Sequence, residues 1–342
     1  MPRASKLVAL AATALLTAGL AACSTTPATD APAGEASGDF TPISIEHALG
    51  TIEITEKPER IATVNWANQE VPLALGVVPV GMARADFGDD NGDGILPWVS
   101  EKLEELGGET PVLFDETDGV DFEAVADTNP DVILAAYSGL TQEDYNTLSE
   151  IAPVVAYPDT AWATSWRDMI RLNSQGMGLE AEGDALITEL EGEIEATAAK
   201  YPAIQRKKTM FLTHVDETDL SQVSFYTTHD TRSAFFEDLG MAFPQSLIDA
   251  STSTDQFSQT ISAEQTDTLA DVEIIVTYGG EDLVQTLQGD PVLSQIPAVA
   301  NGSIVNLPGT EPLGTAASPT PLSISWILDD YVALLSQAAD KA

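Results

Sequence analysis

Cysteine occurs once in 342 residues, at Cys23. No disulfide can form within one copy of the chain, so its fold must rest on an apolar core. Basic residues are scarce too: 14 Lys and Arg stand against 54 Asp and Glu, a formal net charge of −40. A surface of that sign cannot neutralise phosphates, which excludes nucleic acid as a partner. Most of the acids read as a solvated surface that keeps the protein soluble. Histidine is limited to His47, His214 and His229, scattered along the chain, a poor match to a receptor for bare zinc or manganese. The sequence also lacks G-x-S-x-G, H-E-x-x-H, Walker A and G-x-G-x-x-G signatures, so the residues point to a binding protein and not to an enzyme.

What is present begins at the N-terminus. Arg3 and Lys6 precede an uncharged run over residues 7–20, too short to span a membrane comfortably, and Leu20-Ala21-Ala22 lead into Cys23. This reads as a lipoprotein signal peptide over residues 1–22, with Cys23 left to be diacylated after cleavage. Residues 23–39 are rich in Ser, Thr, Pro, Ala and Gly and read as a flexible tether between lipid and domain. About 300 residues remain, more than one compact core usually serves, so two lobes are expected.

The stretch AEGDALITELEGEIEATAAK, residues 181–200, divides them. Leu186, Leu190 and Ile194 recur every fourth residue with Ile187 beside them and acids on the other faces, which predicts one amphipathic helix about 30 Å long. Tyr201-Pro202 ends it. Strand and helix patterns alternate on both sides: strands over 61–66, 77–82, 111–114, 131–137 and 153–157 before it, and over 209–215, 223–227, 273–278 and 303–307 after it. The fold class that follows is α/β: two Rossmann-like lobes with central, mostly parallel sheets joined by one long α-helix. The lobes are set at residues 40–180 and 204–342, with the linking helix at 181–203. DFEAVADTNPDVILAAY (121–137) and SAEQTDTLADVEIIVTY (262–278) also align without gaps, pairing Glu123 with Glu264 and Tyr137 with Tyr278. Each predicts a capped helix leading into a buried strand.

KPERIATVNWANQEVPLALGVVPVGM (57–82), DFEAVADTNPDVILAAYSGLT (121–141) and LSEIAPVVAY (148–157) resemble the ferric-siderophore binding lipoproteins of bacterial ABC importers. The resemblance is strong in the first lobe and diffuse in the second. It implies a monomeric receptor, lipid-anchored at the extracytoplasmic face of the cell membrane. Such a receptor captures a ferric siderophore between its lobes and delivers it to a permease dimer driven by a cytoplasmic ATPase. It further implies that one carboxylate on each lobe, here Glu123 and Glu264, docks with the two permease subunits.

Ligands of such folds sit between the lobes at the carboxyl ends of strands. The loops there carry Trp66 and Asn68, Arg84, Tyr137 and Ser138, and Trp162 in the first lobe. In the second they carry Tyr226, His229, Arg232, Tyr278 and the 309–318 loop. Aromatic rings suit the apolar faces of a bulky ferric complex and guanidinium groups suit its oxygens. Few basic residues favour a ferric hydroxamate or a mixed ligand, whereas the loop arginines favour an anionic catecholate, and all three classes stay open. Heme, through axial His229, Tyr226 or Tyr137, or another metal chelate such as cobalamin, is the alternative cargo. Finally, Asp89, Asn91 and Asp93 form the D-x-N-x-D-G order of half a calcium loop, so a structural calcium and a solvated acidic turn are both open readings. No resident cofactor is expected.

Overall fold

The computed structural model describes residues 40–342. The expected signal peptide, tether and lipidation at Cys23 lie outside the described residues. The described chain opens on an antiparallel hairpin of β1 (Ile43–His47) and β2 (Gly50–Ile54). Ile45, Ile52 and Ile54 point inward while Glu46 and Glu53 stay exposed, the alternation expected of a half-buried ribbon.

The first lobe is built on five short parallel strands: β3 (Ile61–Thr63), β4 (Gly81–Ala83), β5 (Val112–Phe114), β6 (Val132–Leu134) and β7 (Val154–Val155). Their spatial order is β5-β4-β3-β6-β7. The chain therefore moves outward from β3 and then returns to its other side, so the order reverses between β3 and β6. Helices α1 (Glu70–Ala74), α2 (Pro97–Leu106), α3 (Phe122–Asp127), α4 (Gln142–Ser149) and α5 (Trp166–Gly176) connect and cover the strands. Residues 132–136, Val-Ile-Leu-Ala-Ala, are fully buried, because a parallel strand covered on both faces has no solvent side.

Helix α6 (Glu180–Ala198) follows, with Ile187, Leu190 and Ile194 buried, each worth about 2 kcal/mol of apolar burial. Its close approach to α5 depends on Gly183, where a Cβ would lie 2.1 Å from Ser174 Oγ. The second sheet has the order β10-β9-β8-β11-β12, from β8 (Thr209–His214), β9 (Gln222–Tyr226), β10 (Ser258–Ser262), β11 (Ile274–Tyr278) and β12 (Ile304–Leu307). It repeats the reversal, here between β8 and β11. One feature departs from the expected pattern: β9 runs antiparallel to both β8 and β10. The short loop 215–221 after β8 cannot hold a crossover helix, so the chain must turn back on itself. Helices α7 (Thr231–Asp238), α8 (Gln245–Thr252), α9 (Leu283–Gly289), α10 (Pro297–Asn301), α11 (Pro312–Ala316) and α12 (Pro321–Ala339) complete this half.

The lobes are not held by α6 alone. Helix α12 packs on α6 and also on α1 and α2 of the first lobe, and one apolar core runs through both halves. Two polar ties reinforce it. The fully buried Glu70 of α1 accepts from Trp98 Nε1 at 2.7 Å and from the backbone N–H of Leu322, in the first turn of α12, at 2.9 Å. At the other tie, Trp166 Nε1 donates to Asp238 at 2.9 Å, and Arg167 bridges Asp238 at 3.0 Å and Glu191 at 2.7 Å.

Candidate ligand-binding site

The two strand-order reversals face one another across a cavity of about 260 Å³. From the first lobe, Trp66 follows β3, Tyr137 follows β6 and Trp162 precedes α5. From the second come Tyr278, the last residue of β11, and Arg232, in the first turn of α7. Phe87, Thr315 and Ser318 close the ring. Five of the nine residues predicted to bind ligand thus share one cavity. Trp162 sits with φ at 61° outside the helix, which starts only at Trp166 because Ser165 caps it by accepting from Asp168 N. Its ring meets Tyr137 edge-on, with centroids 5.5 Å apart.

Arg232 is the cation of this cavity. Its Nε donates to Asp230 Oδ1 at 2.8 Å, its Nη2 to Asp230 Oδ2 at 2.7 Å, and its Nη1 to Tyr226 Oη at 2.9 Å. The guanidinium lies 3.6 Å from the centre of the Tyr226 ring. Burial works to lower its pKa, but the Asp230 carboxylate outweighs this and holds it charged. Tyr226 therefore backs the arginine and does not line the cavity. The reason is the reversed β9, whose carboxyl end lies away from those of β8 and β11. Burial foremost pushes the Tyr137 hydroxyl up to about 12 and raises Tyr278 as well, so both rings present neutral hydroxyls.

Asn68 and His229 do other work. Asn68 is fully buried; its Nδ2 donates to the carbonyls of Val64 and Tyr137 at 2.8 and 2.9 Å, and its Oδ1 accepts from Tyr137 N at 3.0 Å. It fastens the turn after β3 to the end of β6 and so positions Tyr137 from beneath. His229 points away, its Nε2 lying 3.2 and 3.0 Å from the carbonyls of Ser251 and Thr254. With no place in the cavity, it is not available as an axial heme ligand, which corrects that expectation. Arg84 is exposed, 3.9 Å from Asp86, on the rim of an adjoining cavity of about 380 Å³ that shares Trp66, Phe87 and Trp162 and adds Glu116.

Sequence reasoning missed Phe87 and His214. Phe87 stands three residues past Arg84 in the same loop, and its ring meets His214 of the second lobe at 6.1 Å. His214 in turn stacks on Tyr278 at 4.5 Å. Nothing in the sequence marks that pairing across the lobes.

The turn at Asp89, Asn91 and Asp93 is spoken for by its own backbone. Asp89 accepts from Asn91 N, Gly92 N and Gly94 N, Asn91 Oδ1 from Asp93 N, and Asp93 Oδ1 from Ile95 N. Among the described residues no group of three or more His, Cys, Asp or Glu converges as a metal site, so the calcium reading is not carried further. Glu123 and Glu264 are both exposed, in the first turn of α3 and of the 3-10 helix Ala263–Leu269. The sequence echo is structural: Asp121 and Ser262 cap the two units, and β6 and β11 occupy the same place in their sheets.

Residues 61–310 match the periplasmic binding protein family. The chain belongs to that family. This periplasmic binding protein shares 43% identity with PiaA of Streptococcus pneumoniae TIGR4, solved in complex with ferrichrome, over 88% of this chain and 99% of that one, with a TM-score of 0.84. It is 26% identical over 245 residues to the probable siderophore-binding lipoprotein YfiY of Bacillus subtilis, 70% of each chain. A third similarity, 26% over 300 residues, is to the ferric-anguibactin-binding protein FatB of Vibrio anguillarum, covering 85% of this chain and 87% of that one. No helix among the described residues is long and apolar enough to cross a membrane.

Proposed function

We propose that this periplasmic binding protein captures a ferric siderophore of the neutral hydroxamate class, as exemplified by ferrichrome, and hands it to an ABC permease for iron uptake. The observation that carries the cargo class is the Asp230–Arg232 pair. The cavity has aromatic walls and one guanidinium whose charge is already balanced, so a trianionic ferric catecholate would enter without a compensating cation, while an uncharged complex costs nothing in unpaired charge. The remaining donors of Arg232 and the hydroxyls of Tyr137 and Tyr278 meet hydroxamate and carbonyl oxygens, and the indoles of Trp66 and Trp162 cover the apolar flanks. The similarity to ferrichrome-bound PiaA supports the same class. Heme is disfavoured, because His229, the histidine expected as its axial ligand, is spent on the carbonyls of Ser251 and Thr254 away from the cavity.

The rest of the reading follows the family. Lipidation at Cys23 holds the protein at the extracytoplasmic face of the membrane as a monomer. The exposed Glu123 and Glu264, one per lobe, address the two subunits of a permease whose cytoplasmic ATPase drives transport. Binding is the whole of its activity: the protein is not an enzyme. Tryptophan fluorescence titrated with ferrichrome, a ferric tricatecholate, heme and cobalamin tests the cargo. Saturable quenching by ferrichrome and not by its iron-free form is expected, and saturation by the tricatecholate alone would overturn the hydroxamate assignment.

A further inference from the structure

We infer that Glu116 is a positioning residue: its carboxylate braces Asn65, and through Asn65 it sets both tryptophan walls of the first-lobe half of the cleft. Three loops meet at this point. Glu116, two residues past β5, accepts from Asn65 N at 2.9 Å and from Asn65 Nδ2 at 3.1 Å, both on Oε2, and its Oε1 lies 3.2 Å from the same Asn65 N. Asn65, two residues past β3, accepts in turn on Oδ1 from Gly139 N at 3.1 Å, in the loop after β6. On one side of this chain stands Trp66, held between two left-handed residues, Asn65 at φ 59° and Ala67 at φ 61°. Non-glycine residues keep that conformation only where their surroundings impose it. On the other side stands Trp162. A Cβ at Gly139 would lie 2.2 Å from its Nε1, and its own backbone N–H donates to Ser138 at 3.0 Å. Moving Asn65 therefore moves both indoles.

The brace is met in full by a group that accepts on both oxygens. The two donors of Asn65 that reach Glu116 cannot be exchanged for an acceptor by flipping the amide, because Asn65 Oδ1 is engaged by Gly139. A glutamine whose oxygen took the place of Oε2 would keep both bonds there, but its Nε2 would replace Oε1 and face the Asn65 N–H at 3.2 Å. The charged groups around Glu116 are Arg84 and Asp86 from the loop after β4, Asp144 on α4, and Asp115 and Asp118 in its own loop. Burial foremost, with help from Asp86 and against the Asn65 bonds, raises its pKa to about 7. The brace is complete above that pH, and on the acid side a proton on Oε1 sets a donor against the Asn65 N–H that this oxygen otherwise accepts, loosening the brace.

The test labels the full chain in detergent with 5-fluorotryptophan and follows the fluorine resonances of its five tryptophans, assigned with W66F and W162F. In the wild type the Trp66 and Trp162 resonances should titrate together near neutral pH while those of Trp98, Trp166 and Trp326 stay fixed. Glu116→Gln should abolish that titration and shift the same two signals. Asn65→Gly, which tolerates the left-handed turn but cuts the link to Gly139, should shift Trp162. Resonances that ignore pH in the wild type, or a folded Glu116→Gln that leaves both signals in place, overturn the role. The effect on cargo rests on the proposed ferrichrome reading: affinity for ferrichrome should fall about tenfold in Glu116→Gln. A wild type indifferent to ferrichrome would sink the cargo and leave the resonances to decide the brace.

Discussion

Arg232 and Asp230 form a two-pronged ion pair, Nε to Oδ1 at 2.8 Å and Nη2 to Oδ2 at 2.7 Å, with the Asp230 side chain only 1% exposed. The aspartate is also the N-cap of α7, where its Oδ1 accepts from Arg232 N at 2.9 Å. One carboxylate thus starts a helix, aims a guanidinium and cancels its charge.

Breaking this pair should cost more than removing it. Asp230→Asn leaves a buried cation without its counter-ion, and a loss of about 3 kcal/mol in urea unfolding is expected. Adding Arg232→Met should recover part of that loss, because the double variant buries no lone charge. The same Asp230→Asn exchange should shift cargo preference toward an anionic ferric tricatecholate relative to ferrichrome. An unchanged preference in competition binding would mean that the pair does not set the charge of the site.

Gly139→Ala is the smallest change that should disturb the cleft. The added methyl would fall 2.2 Å from Trp162 Nε1, so the indole must swing out of its place. Unfolding should change little, within about 1 kcal/mol, while the affinity for ferrichrome drops at least about tenfold. Isothermal titration of wild type and variant side by side decides it; equal affinity would remove Trp162 from the site.

Glu70 makes the tie between the lobes depend on pH. Burial raises its pKa above the ordinary value of 4.5, against hydrogen bonds from Trp98 Nε1 and Leu322 N that lower it. The folded protein keeps a proton that the unfolded chain has lost, so this contribution to stability is complete below pH 4.5 and disappears as the pH climbs through the raised folded value. Glu70→Gln cannot titrate. Measured by urea unfolding between about pH 4 and pH 8, the stability difference should move steadily in favour of the variant. A difference that stays constant across the range would show that the Glu70 pKa is the same in the folded and unfolded chain.

Reversing the two surface charges separates capture from delivery. Glu123→Lys with Glu264→Lys should abolish iron uptake in cells and leave the ferrichrome affinity of the isolated protein as it was, since both residues are exposed and lie outside the cavity. Uptake that persists would sink the docking assignment.

The linear pattern of the chain was enough to specify most of its elements, though not β10, α8, α10 or α11. Unbroken apolar runs such as residues 132–136 can only be strands covered on both sides, and the fourfold spacing of Leu186, Leu190 and Ile194 can only bury one helical face, so two sheets and the helix between them were legible. Trp66, Tyr137, Trp162, Tyr278 and Arg232 of the cavity were legible as well, because strand ends in such sheets converge and few other residues there could meet a large ligand. Local pattern carries no information about partners distant in sequence. It could not show that β9 turns back and sends Tyr226 behind Arg232, that Asn68 faces the core at Tyr137, or that His229 is spent on the carbonyls of Ser251 and Thr254. Nor could it show Phe87 meeting His214 across the lobes, or Glu116 reaching Asn65. Each of these is a contact between loops that only the packed sheets bring within hydrogen-bonding or van der Waals reach. Spacing along the chain therefore determined which elements form and roughly where the ligand enters, whereas tertiary packing decided which side chains face it, which are neutralised and which merely hold the others in place.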